Sequence, residues 1–163
     1  MQRAAPVREL ASPKRQRQAV YSACSFEPRS TPVIRLPQGS WWDWDVVAWG
    51  AGQLRLGAGY DLSYAHALEL VFSDPVFVMC PSAFQDPVFR EPTPEEVRLV
   101  DRQVDEPPAV LVAFEADAGG AVPAGGLIAA GQLDIVQGTV FRYWREDLAA
   151  GERLAPWVTP PTA

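Results

Sequence analysis

Residues able to do chemistry are few in this chain, and the clearest candidates lie within a short part of it. Asp43 and Asp45 stand two residues apart in the segment WWDWDVVAW, and His66 is the only histidine. On a β-strand the two carboxylates would point to the same side, roughly 7 Å apart. Such a pair could hold a divalent cation or act as an acid and a base. Alternatively, both aspartates mark the solvated face of a half-buried strand.

His66 is the only histidine that could act as a general base, and no Gly-x-Ser-x-Gly motif supplies a nucleophile for it. It lies in the alternating segment LSYAHALELVF, which predicts that Tyr64, His66 and Leu68 share one face of a strand. A histidine on such an apolar face is most often buried and hydrogen-bonded, here near the Tyr64 hydroxyl. Ligand binding and catalysis are the alternative roles.

Several common kinds of site are missing from the sequence. It contains no phosphate-binding loop, no His-Glu-x-x-His and no Cys-x-x-Cys, and its single lysine is Lys14. The Gly-Ala-Gly triplets at 50–52 and 57–59 lack the third glycine of a dinucleotide-binding turn. We therefore predict no catalytic residues, no metal and no cofactor.

Tryptophan is concentrated in one place, since four of the six lie between positions 41 and 49. Alternation predicts that Trp42 and Trp44 fill the core, whereas Trp41 and Trp49 lie on the outer face beside the aspartates. A tryptophan on an outer face is typical of a binding interface. The predicted binding residues are Trp41, Asp43, Asp45, Trp49, Tyr64 and His66.

Charge is divided unevenly along the chain. Residues 1–35 carry seven basic and two acidic side chains, whereas residues 36–163 carry seven arginines and 18 acidic side chains. An acidic body repels nucleic-acid phosphates and attracts basic molecules. We therefore predict a protein partner of basic character, and no nucleic acid bound by the body. The acidic side chains between 86 and 106 are either a solvated face or part of a docking surface.

The composition predicts three regions: a basic, disordered arm over 1–31, a single β-rich domain over 32–158, and a tail over 159–163. Cys24 and Cys80 are too far apart in sequence to indicate a disulfide framework. The sequence has no signal-peptide core and no apolar run of 18 residues. These features predict a cytoplasmic protein without a membrane span, and they leave its oligomeric state open.

Alternating segments predict about seven strands, mostly antiparallel, in a sandwich or a partly open barrel. Turns at 73–75 and 137–138 are predicted to form two hairpins. Thr93, Pro94 and Glu96 form a capping box, which predicts one short helix over 93–104.

Three functions fit these observations. The first is a non-enzymatic domain that binds another protein, for example an immunity-like protein that neutralises a basic toxin. The second is a small-ligand-binding barrel or sandwich whose pocket is lined by Trp42, Trp44, Tyr64 and His66. The third is a small enzyme that uses aspartate and His66. The missing catalytic motifs and the acidic body favour the first.

Overall fold

The computed structural model describes residues 33–50 and 52–162. Within them the chain forms seven strands and one short helix, which confirms the predicted β-rich fold. The strands are β1 (Asp43–Gly50), β2 (Gln53–Gly59), β3 (Ala65–Met79), β4 (Ala83–Arg90), β5 (Val110–Asp117), β6 (Ala124–Phe141) and β7 (Arg153–Leu154), and the helix is α1 (Pro94–Asp101). The arm predicted over 1–31 lies outside the described residues. Residues 159–162 are exposed and belong to no helix or strand.

Six of the strands close into an antiparallel barrel. Their order is β3-β2-β1-β4-β5-β6, and β6 then pairs with β3 to complete the circle. The two-residue strand β7 adds to the end of β6 in parallel. In a closed barrel the first and last strands pair with each other, whereas in a sandwich the backbone N–H and C=O groups of the edge strands would stay unpaired.

Large side chains fill the inside of the barrel. Trp44, Phe72 and Phe114 have no exposed surface. The ring of Phe84 stacks on Trp44 at 5.9 Å and on Phe114 at 4.9 Å. Gly126 lies opposite Phe114 on the neighbouring strand, and a Cβ there would lie 2.1 Å from the Phe114 ring. Only glycine therefore fits at position 126 with this arrangement of rings.

The two predicted hairpins are wrong, because the chain continues through both proposed turns. β3 runs across 73–75 and β6 runs across 137–138, and the two long strands pair with each other. Asp74 has φ +51, and the register of β3 on β6 shifts between Pro75 and Phe77. A bulge of this kind bends a strand instead of reversing it. Bent strands allow a small sheet to close on itself.

The strands β4 and β7 have no counterpart in the sequence-based prediction, which placed strands at 41–49, 53–56, 62–72, 76–80, 109–117, 126–136 and 139–144. In β4 the alternation is interrupted by Asp86, which has φ +47, and the register shifts between Gln85 and Val88. This irregular backbone hides the period of two that identifies a strand. The strand β7 has only two residues, too few for any pattern.

The helix begins where the capping box predicts. The Thr93 hydroxyl accepts a hydrogen bond from the Glu96 amide at 3.2 Å, and the Glu96 carboxylate accepts one from the Thr93 amide at 2.7 Å. The helix ends at Asp101, before the predicted end at 104, and the amides of Gln103 and Val104 beyond it both bond to the Val100 carbonyl. α1 covers the outside of β5 and β6 through an apolar cluster. No helix in the described part of the chain is long and apolar enough to span a membrane.

Candidate functional site

His66 lies on the outer wall of the barrel, not among the interior side chains. The pairing of β3 with β6 is irregular at this point, since Gly138 and Thr139 of β6 both lie opposite Ala67. The Nε2 atom of His66 is 2.8 Å from Oε1 of Glu69, which faces away from the interior. The predicted common face of His66 and Leu68 is therefore wrong. Glu69, and not the Tyr64 hydroxyl, is the partner of the histidine.

Both ring nitrogens of His66 are hydrogen-bonded. Nε2 contacts the Glu69 carboxylate, and the Nε–H of Arg142 donates to Nδ1 at 3.4 Å. A carboxylate only accepts and a guanidinium only donates, so the tautomer with its proton on Nε2 satisfies both contacts. His66 is 2% exposed. Neither nitrogen is therefore available to a substrate.

Arginines from separate parts of the chain complete this group. Arg55 of β2 lies 2.6 Å and Arg153 of β7 lies 2.5 Å from the same oxygen of Glu69. Arg142 forms two parallel bonds to Asp45 of β1, at 2.7 and 2.8 Å. We call this group the buried charge network; its members are Asp45, Arg55, His66, Glu69, Arg142 and Arg153. It ties β1, β2 and β3 to the segment that follows β6.

The buried charge network holds Glu69 in its ionised form. Burial alone would raise the pKa of this carboxyl, but the hydrogen bond from His66 and the charges of Arg153 and Arg55 outweigh burial. The pKa of Glu69 is lowered from 4.5 to about 2. Among the described residues, every buried side-chain nitrogen and oxygen has a hydrogen-bond partner. The network is thus fully satisfied and supports the C-terminal segment.

Gly57 of β2 makes room for the histidine ring. A Cβ at this position would lie 3.2 Å from the ring of His66 and 2.6 Å from Cγ1 of Val47. The first glycine of the triplet at 57–59 therefore has a packing role on a strand.

Asp43 and Asp45 do not form an open pair of carboxylates. Asp45 is held by Arg142, and Asp43 accepts a hydrogen bond from the Leu62 amide at 3.2 Å. Both aspartates are partly buried. Over residues 33–50 and 52–162, no group of three or more His, Cys, Asp or Glu side chains could hold a metal ion.

The first tryptophans depart from strict alternation, because β1 begins only at Asp43. Trp44 is buried in the barrel as predicted. Trp41, predicted to face outward, packs against the same core and donates from Nε1 to the Pro37 carbonyl at 2.7 Å. Trp42, predicted to face inward, contacts Tyr60 at 6.3 Å between ring centres.

Trp49 is exposed, but it does not share a surface with the aspartates. The register of β1 on β2 shifts between Val46 and Ala48. As a result Trp49 lies opposite Leu54, whose side chain faces the interior, and 65% of its own surface is exposed at the strand end. The predicted outer surface of Trp41, Trp49 and the two aspartates is therefore not assembled.

The predicted ligand pocket is not assembled either. Trp44 lies inside the barrel, His66 is buried in its outer wall, and Tyr64 is 68% exposed. Trp42 pairs with Tyr60 away from the core cluster. The four side chains thus occupy different environments.

A patch of exposed rings lies where the β2–β3 loop meets the segment after β6. Tyr64, Tyr143 and Trp157 are 68%, 45% and 48% exposed. The rings of Tyr64 and Tyr143 are perpendicular with centres 6.1 Å apart, and Tyr143 also contacts Phe141 at 5.7 Å. The Arg142 guanidinium lies 5.9 Å from the ring centre of Trp157. We call Tyr64, Phe141, Tyr143 and Trp157 the aromatic patch.

The aromatic patch is anchored to the buried charge network. The amide of Arg142 donates to the Tyr64 carbonyl at 2.8 Å, while its side chain is fixed by Asp45. Arg145, whose guanidinium lies over the Phe141 ring, is 3.3 Å from Asp147. Each arginine beside the patch therefore has its own carboxylate partner.

A separate groove of about 350 Å³ lies beside β4 and the loop between β5 and β6. Its lining includes three carboxylates and two valines: Asp86, Glu115, Asp117, Val88 and Val122. The predicted acidic segment contributes only Asp86 to this groove.

Sequence reasoning missed Glu69, Arg142, Tyr143 and Trp157. One signal was present for the first of them, since Glu69 is the only Asp, Glu, Lys or Arg in LSYAHALELVF. A charge within an apolar strand predicts a buried ion pair. No sequence pattern predicts that Tyr143 and Trp157 join Tyr64.

No protein-family model, curated protein or solved structure matches this chain.

Proposed function

We propose that this protein is a non-enzymatic domain that binds another protein, and that the aromatic patch is its contact surface. The observation that carries the proposal is the exposure of Tyr64 and Tyr143 in mutual contact, with Trp157 exposed beside Arg142. Tyrosine, tryptophan and arginine are the side chains in which binding energy concentrates at protein interfaces. Rings already fixed by mutual contacts lose little conformational freedom when a partner binds.

The charge of the body favours a basic partner. Six of the seven arginines in residues 36–163 contact a carboxylate within the described part of the chain, namely Arg55, Arg90, Arg98, Arg142, Arg145 and Arg153. The remaining surface charge is mainly acidic, and Asp147 adjoins the aromatic patch through Arg145. The negative potential of such a surface speeds association with a basic protein and opposes contact with nucleic-acid phosphates. An immunity-like protein that neutralises a basic toxin is one concrete form of this function.

The environment of His66 supports this function over the two alternatives. An Asp/His enzyme needs an accessible histidine, whereas His66 is 2% exposed and hydrogen-bonded at both nitrogens. A ligand pocket built from Trp44 and His66 would need them on one face, and they lie on opposite faces of the barrel wall. We further propose a cytoplasmic location, since Cys24 and Cys80 are distant in sequence.

The experiment is capture followed by titration. The immobilised full-length chain is exposed to a lysate of its own host at low and moderate salt, and a protein retained in near-equal amount is identified by mass spectrometry. That protein is then purified and titrated calorimetrically against wild type, Tyr64→Ala and Tyr143→Ala. Val122→Ala is the matched control, because Val122 is 75% exposed and lies outside the aromatic patch.

We expect each tyrosine variant to weaken binding about tenfold or more, which is about 1.4 kcal/mol, while the Val122 variant binds as wild type. Circular dichroism and thermal unfolding check that the variants are folded. A partner whose affinity is unchanged in both tyrosine variants would rule out the aromatic patch as the contact surface. If no protein is retained at either salt concentration, the protein-binding function itself is contradicted.

A further inference from the structure

One stretch of β6 has a backbone edge that is not covered by any of the strands described above. β5 pairs with β6 up to Val110 and Ala130, and β7 pairs with it from Val140 and Arg153 onward. Ala130 and Val140 each also pair with β3, so β5 and β7 both lie on the edge opposite β3. Between them, no strand in the described part of the chain pairs with residues 131–139 on that side.

The accessible part of this edge is residues 131–137, which we call the open edge. Beyond it, a Cβ on Gly138 would lie 3.2 Å from the Gly151 carbonyl oxygen, so the loop before β7 approaches there. All residues of the open edge except Leu133 are exposed, including Ile135 and Val136 at 41% and 42%. At about 3.3 Å per residue it is about 23 Å long, enough for a bound strand. Unpaired N–H and C=O groups of this kind are a template for another extended chain.

Side chains along the open edge alternate in character. Leu133 and Ile135 pair with Phe72 and Leu70, which are buried in the core, so their side chains are directed to the core side of the sheet. Asp134 is directed to the opposite side. A strand added here would place apolar side chains beside Leu133 and Ile135 and would favour cations beside Asp134.

Charge at the open edge decides between possible occupants. Asp134 is exposed, and within the described part of the chain its hydrogen bonds come from the side-chain amide of Gln132 at 2.8 and 3.0 Å, not from a cation. A second carboxylate, that of Asp74, belongs to a residue close to the start of the open edge. The Cβ of Asp74 would lie 3.4 Å from a Cβ placed on Gly131. Pairing of two copies of the chain through this edge would bring like charges together, which is destabilising. A basic segment, by contrast, would be attracted to the carboxylates that repel a second copy of the chain.

We propose that the open edge binds the partner protein by strand addition, and that the bound segment is extended and alternates apolar with basic residues. This inference rests on the proposed function, because it takes the ligand to be a protein. It depends, however, on different residues. β6 leads directly from the open edge to Phe141 of the aromatic patch, so one partner can contact both surfaces.

Three peptides test strand addition directly on the full-length chain. The first is an acetylated eight-residue peptide that alternates lysine and valine, titrated by fluorescence anisotropy with a terminal dye. In an extended chain the lysine amides all point to one edge and the valine amides to the other. The second peptide is therefore N-methylated at every lysine and the third at every valine.

A bound strand that pairs through one edge loses hydrogen bonds when the amides of that edge are N-methylated. It tolerates N-methylation of the amides on its other edge. We expect one methylated peptide to bind like the parent and the other to lose at least about tenfold in affinity, since its pairing donors are gone. Equal affinities of the two methylated peptides would overturn the proposal, because binding would then depend on side-chain charge alone. Failure of the parent peptide to bind at millimolar concentration would overturn it as well.

Variants of the protein locate the bound peptide. Asp134→Lys should weaken binding of the parent peptide about fivefold or more, whereas Asp105→Lys makes the same charge change at another exposed site and should have little effect. Amide hydrogen exchange read by NMR should slow at alternate residues of 131–137 when the peptide is bound. Unchanged exchange at these residues with saturating peptide would contradict the proposal.

The two proposals fail in different ways. A captured partner that depends on Tyr143 but leaves the exchange of residues 131–137 unchanged would overturn strand addition and leave protein binding intact. Peptide protection of the open edge without any captured partner would contradict the proposed function, and it would show only that this edge can pair with an added strand.

Discussion

Replacement of Glu69 by glutamine tests whether the buried charge network stabilises the fold. Glu69→Gln keeps the size of the side chain but leaves Arg55 and Arg153 without their carboxylate. The lowering of the Glu69 pKa from 4.5 to about 2 corresponds to about 3 kcal/mol of stability. Loss of one partner from a buried ion pair costs about 3–5 kcal/mol in other proteins. The partial exposure of Arg55 and Arg153, at 25% and 40%, places the expected loss near the lower end.

The pH dependence of the free energy of unfolding is a second, independent test of this stabilisation. Because the pKa of Glu69 is lower in the folded state, its stabilisation is fully present above 4.5 and is lost as the pH falls from 4.5 towards 2. The free energy of unfolding of wild type should therefore exceed that of Glu69→Gln by about 3 kcal/mol at pH 7, and the difference should close in acid. Urea unfolding of the full-length chain at a series of pH values measures both quantities.

Glu95→Gln is the control, since Glu95 also pairs with an arginine but its side chain is 76% exposed. We expect this variant to lose at most about 0.5 kcal/mol. The reasoning is refuted if Glu69→Gln is no more destabilising than Glu95→Gln at pH 7. A difference between wild type and Glu69→Gln that stays constant down to pH 3 would also refute it.

Two further predictions concern the helix cap and the thiol. Thr93→Ala removes the hydroxyl that accepts the Glu96 amide, and it should lower the free energy of unfolding by about 1 kcal/mol in urea titrations; unchanged stability would show that the cap contributes nothing. Burial raises the pKa of Cys80 from 9.0 to about 12, and the thiolate is the reactive form. In a Cys24→Ser background, native Cys80 should therefore react with a thiol reagent at pH 8 about a thousandfold more slowly than in the unfolded chain, and similar rates would contradict its burial.

The local elements of the fold were largely accessible from sequence. Thr93 and Glu96 predicted the start of α1, because a capping box depends only on residues three apart. The alternation around Trp44 predicted a strand with that ring inside. The predicted turns at 73–75 and 137–138 are wrong. The backbone conformations of Asp74 and Gly138 occur in bent strands as well as in turns that reverse the chain. Whether the chain bends or reverses at these places depends on which strands lie beside it, and the sequence does not identify those strands.

The candidate site was less accessible, because single-residue bulges reverse the side-chain pattern. The extra residue of β1 between Val46 and Ala48 moved Trp49 away from Asp45, and opposite an extra residue of β6 the His66 side chain lies on the outer wall with Glu69. One extra residue flips every later side chain to the other face of the sheet. Alternation read from sequence is therefore reliable only between bulges.

Local propensity and composition were enough to predict the β-rich class, the capped helix and the acidic charge of the body. Three features depend on the folded arrangement: the barrel closes, Arg142 and Arg153 reach His66 and Glu69, and Tyr64 meets Tyr143. The folded arrangement also created the open edge, which exists because β6 is longer than the strands that flank it. These features join residues far apart along the chain, and only strand order and register fix such distances.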